Sequence, residues 1–214
     1  MNYLTFEEIR IIGSLIEKEL TTPEYYPLTV NALKNACNQK SNRDPVVSFD
    51  EGLIETTLEK MREKALVRRV TGSDIRVPKY RQNFTEEMKF LPEETAVICV
   101  LMLRGSQTPG EIKSRSGRMF NFESLVQLDE VLQKLMNREK PLVVKLPRQA
   151  GMKESRYAHL LSGEPDIEAL NNEAPEAVSI EAEKIASLEE QIEVLRNELQ
   201  ELRQQFSIFK KQFE

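Results

Sequence analysis

The chain has 214 residues, with 30 Lys and Arg against 35 Asp and Glu, a formal charge of −5. Apolar residues at 40% and charged residues at 30% describe a globular chain with some long exposed helix. The acidic average argues against a polyanion partner, and the length allows one domain or two small ones.

Thr5-Phe6-Glu7-Glu8 opens the first expected helix as a capping box, and Ile9, Ile12, Leu15 and Ile16 follow at helical spacing. Thr22-Pro23 ends it. A shorter helix fits residues 29–38, with Leu33, Ala36 and Cys37 inward. Ser48-Phe49-Asp50-Glu51 reads as a second capping box, ahead of a third helix on Leu53, Ile54, Leu58 and Met61. The period then changes. Residues 66–70, a Thr71-Gly72-Ser73-Asp74 turn and residues 75–77 read as a hairpin, whose returning strand is expected at a sheet edge because Pro78 cannot donate. Three helices and then a hairpin is the order of a winged helix.

The same order follows again. Leu91-Pro92 opens an apolar helix through Ala96, Cys99, Val100 and Leu103 that stops at Gly105. Thr108-Pro109-Gly110-Glu111 caps a short second helix. A third helix fits residues 122–137 on Leu125, Leu128, Val131, Leu132 and Leu135, and residues 141–146 with 156–160 make the second hairpin. The fold class expected is mainly α with small β-hairpins (α+β). It comprises a winged-helix domain over 1–83, another over 84–161, an acidic linker over 162–178 and a coiled-coil helix over 179–214. In that last segment Ile185, Leu188, Ile192, Leu195, Leu199, Leu202, Phe206, Phe209 and Phe213 alternate spacings of three and four. Such a heptad seam predicts a homodimer; the alternative is that the helix folds back on its own modules, which the three phenylalanines favour.

Several classes are excluded as expectations. The longest apolar run, residues 96–103, is too short to span a membrane, and residues 1–10 lack the pattern of a signal peptide. Cys37 and Cys99 form no CxxC pair and read as small buried side chains in a cytoplasmic chain. His159 is the sole histidine, and no glycine-rich phosphate loop is present. Neither an enzyme nor a cofactor, metal or small-molecule ligand is expected.

Residues 26–46 (YPLTVNALKNACNQKSNRDPV), the run Leu103-Arg104-Gly105-Ser106-Gln107-Thr108-Pro109-Gly110-Glu111 continuing through Arg115 and Arg118, and residues 156–161 resemble the YceH family of bacterial proteins. The resemblance covers both modules. It implies a tandem winged-helix fold and carries no catalytic or ligand residue over.

Split by segment, the charge is +1 over 1–83, +2 over 84–161 and −8 over 162–214. The acidity belongs to the tail, so DNA is not excluded. Lys40 and Arg43, and then Lys113, Arg115 and Arg118, lie between second and third helices; Arg68, Arg69 and Arg76, and then Lys145, Arg148, Lys153 and Arg156, lie in the hairpins. These twelve are the candidate phosphate contacts, with Asn38, Gln39, Ser41 and Asn42 beside them as base-edge donors or as ordinary caps and turns. The third helices carry Asp50, Glu51 and Glu55, and then Glu123, Asp129 and Glu130, which oppose major-groove reading. The leading expectation is sequence-tolerant duplex DNA binding in a regulatory or chromosome-associated role. The alternative is a protein-interaction adaptor.

Overall fold

Local sequence signals set most of the helix starts. In the computed structural model, which describes residues 3–70, 77–148, 152 and 154–165, helix α1 (Phe6–Thr21) begins at a complete capping box. The Thr5 amide donates to Glu8 Oε2 at 3.0 Å and the Glu8 amide to Thr5 Oγ1 at 3.3 Å, satisfying two otherwise orphaned donors. A short 3-10 turn at Pro23–Tyr25 leads into strand β1 (Leu28–Thr29), and Thr29 then caps α2 (Val30–Cys37). Helix α3 (Glu51–Glu63), strands β2 (Val67–Val70) and β3 (Lys79–Gln82), and one short helical turn, α4 (Phe84–Glu87), complete the first half.

The second half follows as α5 (Pro92–Arg104), α6 (Pro109–Ser116), α7 (Leu125–Met136), β4 (Val143–Lys145) and β5 (Tyr157–His159). Among the described residues the class is therefore mixed α+β, seven helices with two small antiparallel sheets. Both halves repeat one pairing: β1 joins β3 through Leu28 and Tyr80, and Gln107 bridges to Tyr157 on β5. The expected coil over 179–214 and most of the linker lie outside the described residues.

Three boundaries differ from expectation. The third helix of the first half starts from Asp50, whose carboxylate accepts from the Leu53 amide at 2.8 Å, and not from Ser48. Phe49 is unavailable to a helix there, because its backbone pairs in both directions with the Asn38 amide, at 2.8 and 2.9 Å. In the second half Ser124 caps α7, while Phe122 is buried beside Phe120, so that helix begins three residues later. The returning strand starts after Pro78 and sits in the middle of the order β1-β3-β2. A proline just ahead of a strand removes no ladder bond, so it does not force that strand to an edge.

Helices α1 and α5 are the centre of the molecule. Each is buried on every side along its middle, residues 8–16 and 94–103, which only a helix enclosed by others can be. Each packs against its own half and against the other, so one apolar core runs through both halves and the body to Pro165 is one compact unit. Gly13 and Cys99 are both the eighth residue of their helices, and the Cys99 thiol donates to the Gly13 carbonyl at 3.4 Å. A Cβ on Gly13 would lie 2.9 Å from Leu103, the twelfth residue of α5. After burial, the strongest upward push on the Cys99 thiol is the charge of Glu17 on α1.

Candidate functional site

The twelve basic candidates divide sharply once their partners are known. Arg43 is the clear correction. Its side chain is 0% exposed, with Nη1 and Nη2 donating to Glu17 at 3.0 and 2.6 Å, Nε to the Ala36 carbonyl at 3.1 Å and Nη1 also to the Asn42 carbonyl at 2.8 Å. Burial alone pushes the Glu17 carboxyl up, and the hydrogen bonds and charge of Arg43 reverse this and hold it below the ordinary 4.5. Four of the five N–H donors of that guanidinium are used by the fold, and the whole side chain is buried, so it does not face a phosphate outside.

The loop carrying Arg43 is committed to holding the halves together. Asn42, in the left-handed region at φ 63°, accepts from Arg104 at the end of α5, and the Asp44 amide donates to the Leu103 carbonyl at 2.8 Å. Asn38 is consumed by Phe49, as above. Of the four polar residues weighed as base-edge donors, these two are therefore structural; Gln39 accepts from Lys18 at 3.4 Å, and Ser41 is exposed.

On the second half Arg115 and Arg156 share Glu111, at 3.5 and 3.1 Å, and Arg115 also meets the Gln107 side chain. Lys113 donates to the Glu123 carbonyl at 2.9 Å and Arg148 to the Met152 carbonyl at 3.0 Å. Lys40, Arg68, Arg69, Arg118 and Lys145 are exposed. The Lys145 ammonium lies 5.9 Å above the Tyr157 ring. Arg76 and Lys153 lie outside the described residues, as do all nine residues of the expected seam.

The faces of the third helices are acidic and apolar. Glu51, Glu55 and Glu59 line an open groove of about 520 Å³ between α3, the start of α2 and the β2–β3 hairpin. Its hairpin side carries Arg69, Val77, Pro78 and Tyr80. On α7, Leu125 is 50% and Val126 69% exposed, beside the exposed Asp129 and Glu130. A larger hollow of about 960 Å³ lies between Tyr3, Met88 and Leu161, but its guanidinium, Arg138, is already engaged by Glu94 at 2.7 Å and the Met88 carbonyl at 3.0 Å. Among the described residues no group of three or more His, Cys, Asp or Glu could hold a metal ion, and no helix is long and apolar enough to cross a membrane. Cys37 and Cys99 are both fully buried free thiols; burial pushes Cys37 up to about 11.

His159, on β5, stands apart from these surfaces. Its Nδ1 is buried without a hydrogen-bond partner, and burial pushes its pKa from 6.5 down to about 4. The unfolded chain therefore binds this proton first. Stability from the neutral ring is complete above pH 6.5 and is lost as pH falls towards 4. Between pH 6.5 and 5 the loss comes to about 1–2 kcal/mol at 1.36 kcal/mol per unit, since the ring is only half-buried. Urea midpoints at pH 7 and 5 should differ for the parent chain and coincide for His159→Gln; the Glu17 contribution enters only below about 4.5.

The chain matches the family described as "Protein of unknown function, DUF480" over residues 4–152. It is 50% identical to a UPF0502 protein of Geotalea uraniireducens over 217 residues, covering 99% of both chains. It is 49% identical to one of Aeromonas hydrophila over 90% of this chain and 91% of that one, and 48% identical to one of Solibacter usitatus over 97% and 96%. Over its full length, then, the chain belongs to the UPF0502 (DUF480) family of bacterial proteins.

Proposed function

We propose that the body is a tandem winged-helix module that binds a protein partner, and that residues 179–214 pair two copies as a coiled coil in the cytoplasm. One observation supports this above the rest: the faces of α3 and α7 offer carboxylates and exposed apolar side chains, Glu51, Glu55 and Glu59 on one, Leu125, Val126, Asp129 and Glu130 on the other. Carboxylates are repelled by a phosphate-lined groove, whereas exposed apolar residues amid charge are ordinary in protein interfaces. The module works by presentation alone, without a chemical step.

Photo-crosslinking in living cells, with benzoylphenylalanine in place of Thr56 on α3 or Val126 on α7, tests the reading. The expected result is one defined protein adduct, identified by its crosslinked peptide, that disappears when the same probe replaces an exposed residue on a remote face. Adducts carrying nucleotides, or no adduct at either site, would overturn it.

A second reading, backbone contact with duplex DNA through the wings, is favoured by the exposed Arg68, Arg69, Arg118 and Lys145. Anisotropy of a labelled duplex across a salt series separates the two. Wing binding predicts that the Arg68→Ala/Arg69→Ala variant reduces the log–log salt slope by about 2, at ~0.9 per phosphate contact. Protein binding alone predicts no saturable signal from the parent chain.

A further inference from the structure

We infer that the groove between α3 and the hairpin of the first half takes an extended segment of a partner protein, with Lys or Arg at every second position and apolar side chains between. This rests on the protein-binding reading and gives it a chemistry. Glu51, Glu55 and Glu59 stand four residues apart along α3 and line the groove together. Their helical spacing corresponds to about 6 Å of rise from one carboxylate to the next. An extended chain repeats its same-face side chains every two residues, about 6.6 Å. Cations at alternate positions therefore run almost in step with the three carboxylates, and the flexible stem of Lys or Arg absorbs the remaining mismatch.

The intervening side chains of such a segment point the opposite way, to the hairpin wall. Val77 there is 57% exposed and is followed by Pro78 and the buried Tyr80. The helix wall is acidic and the hairpin wall offers Val77 and Pro78 beside the single guanidinium of Arg69, so the two walls suit the two faces of an extended segment, which a helical one does not present. Arg69 also lines the groove, so one guanidinium against three carboxylates leaves its lining at −2. Like charges four apart destabilise a helix. Lys34 relieves Glu51 at 3.2 Å and Arg62 relieves Glu59 at 2.5 Å, while the central Glu55 has no ion-pair partner among the described residues. A cation from outside satisfies the one of these three carboxylates that has no ion-pair partner among the described residues, and a duplex, with its own negative charge, is repelled from the same place.

The test titrates the full chain, by anisotropy at about 0.1 M salt, into two fluorescein-labelled heptapeptides of identical composition. One alternates lysine and leucine; the other groups the lysines and leucines in blocks. The alternating peptide should bind about tenfold more tightly than the block peptide, a difference of about 1.4 kcal/mol. That preference should vanish in Glu55→Gln/Glu59→Gln and survive in Asp129→Asn/Glu130→Gln on α7. Equal binding of the two peptides, an undiminished preference in the α3 variant, or displacement of the peptide by unlabelled duplex DNA would each overturn the groove assignment. Crosslinks to a protein at Val126 with none at Thr56 would overturn it as well, while leaving the protein-binding reading intact. Failure of both crosslinking sites removes that reading too.

Discussion

Arg43→Ala should unfold at a much lower denaturant concentration than the parent chain, at a cost of about 3–5 kcal/mol. The truncation removes a guanidinium that is 0% exposed and leaves Glu17, only 14% exposed, with Lys18 at 3.2 Å as its remaining cation. It also strips the donors from the carbonyls of Ala36 and Asn42. Arg43→Lys should recover only part of the loss, because an ammonium cannot reproduce the fork that spans both Glu17 oxygens and the Ala36 carbonyl. The Glu17→Gln/Arg43→Met pair should cost less than the two single changes together, since it leaves no buried charge unmatched.

The pH dependence identifies the same pair. Glu17 titrates below 4.5 in the fold, so its contribution is present above that value and lost as pH falls through the lowered one. Arg43→Ala should flatten this acid limb, which the His159 change leaves in place. Urea midpoints from pH 7 to 3.5 read both effects. A variant as stable as the parent would show that the buried fork contributes nothing net.

Local signals were legible in the sequence and non-local ones were not. The boxes at Thr5–Glu8 and Thr108–Glu111, the proline at the start of α5 and the glycine after it all act within four residues, and the structure has each where the pattern puts it. Strand β1 is two residues long and exists because β3 pairs with it, so no period could announce it. Asn38 and Ser48 illustrate the same limit: whether a polar side chain caps, or clasps a backbone eleven residues away, depends on where the chain returns.

The candidate surface was legible in type but not in availability. Basic residues in loops and hairpins look equivalent in sequence. In the fold Arg43 is inside because Glu17, 26 residues earlier, faces it, and Arg115 and Arg156 share a single Glu111. Conversely, in the sequence the carboxylates of α3 read only as an obstacle to DNA. Their alignment along one groove with Val77 and Tyr80 opposite emerges only once the hairpin is packed against the helix.

Gly13→Leu should cost about 3 kcal/mol, the upper range for overpacking a tight core. Gly13→Ala should cost only about 1 kcal/mol, despite a gain of about 1 kcal/mol in helix propensity. A Cβ at this position meets Leu103 Cδ2 at 2.9 Å, a flexible end that can turn, but also Met102 Cβ at 3.2 Å, which is fixed to the α5 backbone. Relief therefore requires α1 and α5 to separate. Separation would stretch the Cys99–Gly13 contact and the Asp44–Leu103 hydrogen bond, which close the joint between the halves. Denaturant unfolding of Gly13→Leu should accordingly lose cooperativity, with a smaller slope as well as a lower midpoint, because halves that no longer share one core open separately. The Arg43 change lowers the midpoint at constant slope. A Gly13→Leu chain that keeps the parent slope would mean that each half repacks around the larger side chain without parting from the other, and that the close approach of α1 and α5 is not what makes the two halves unfold as one.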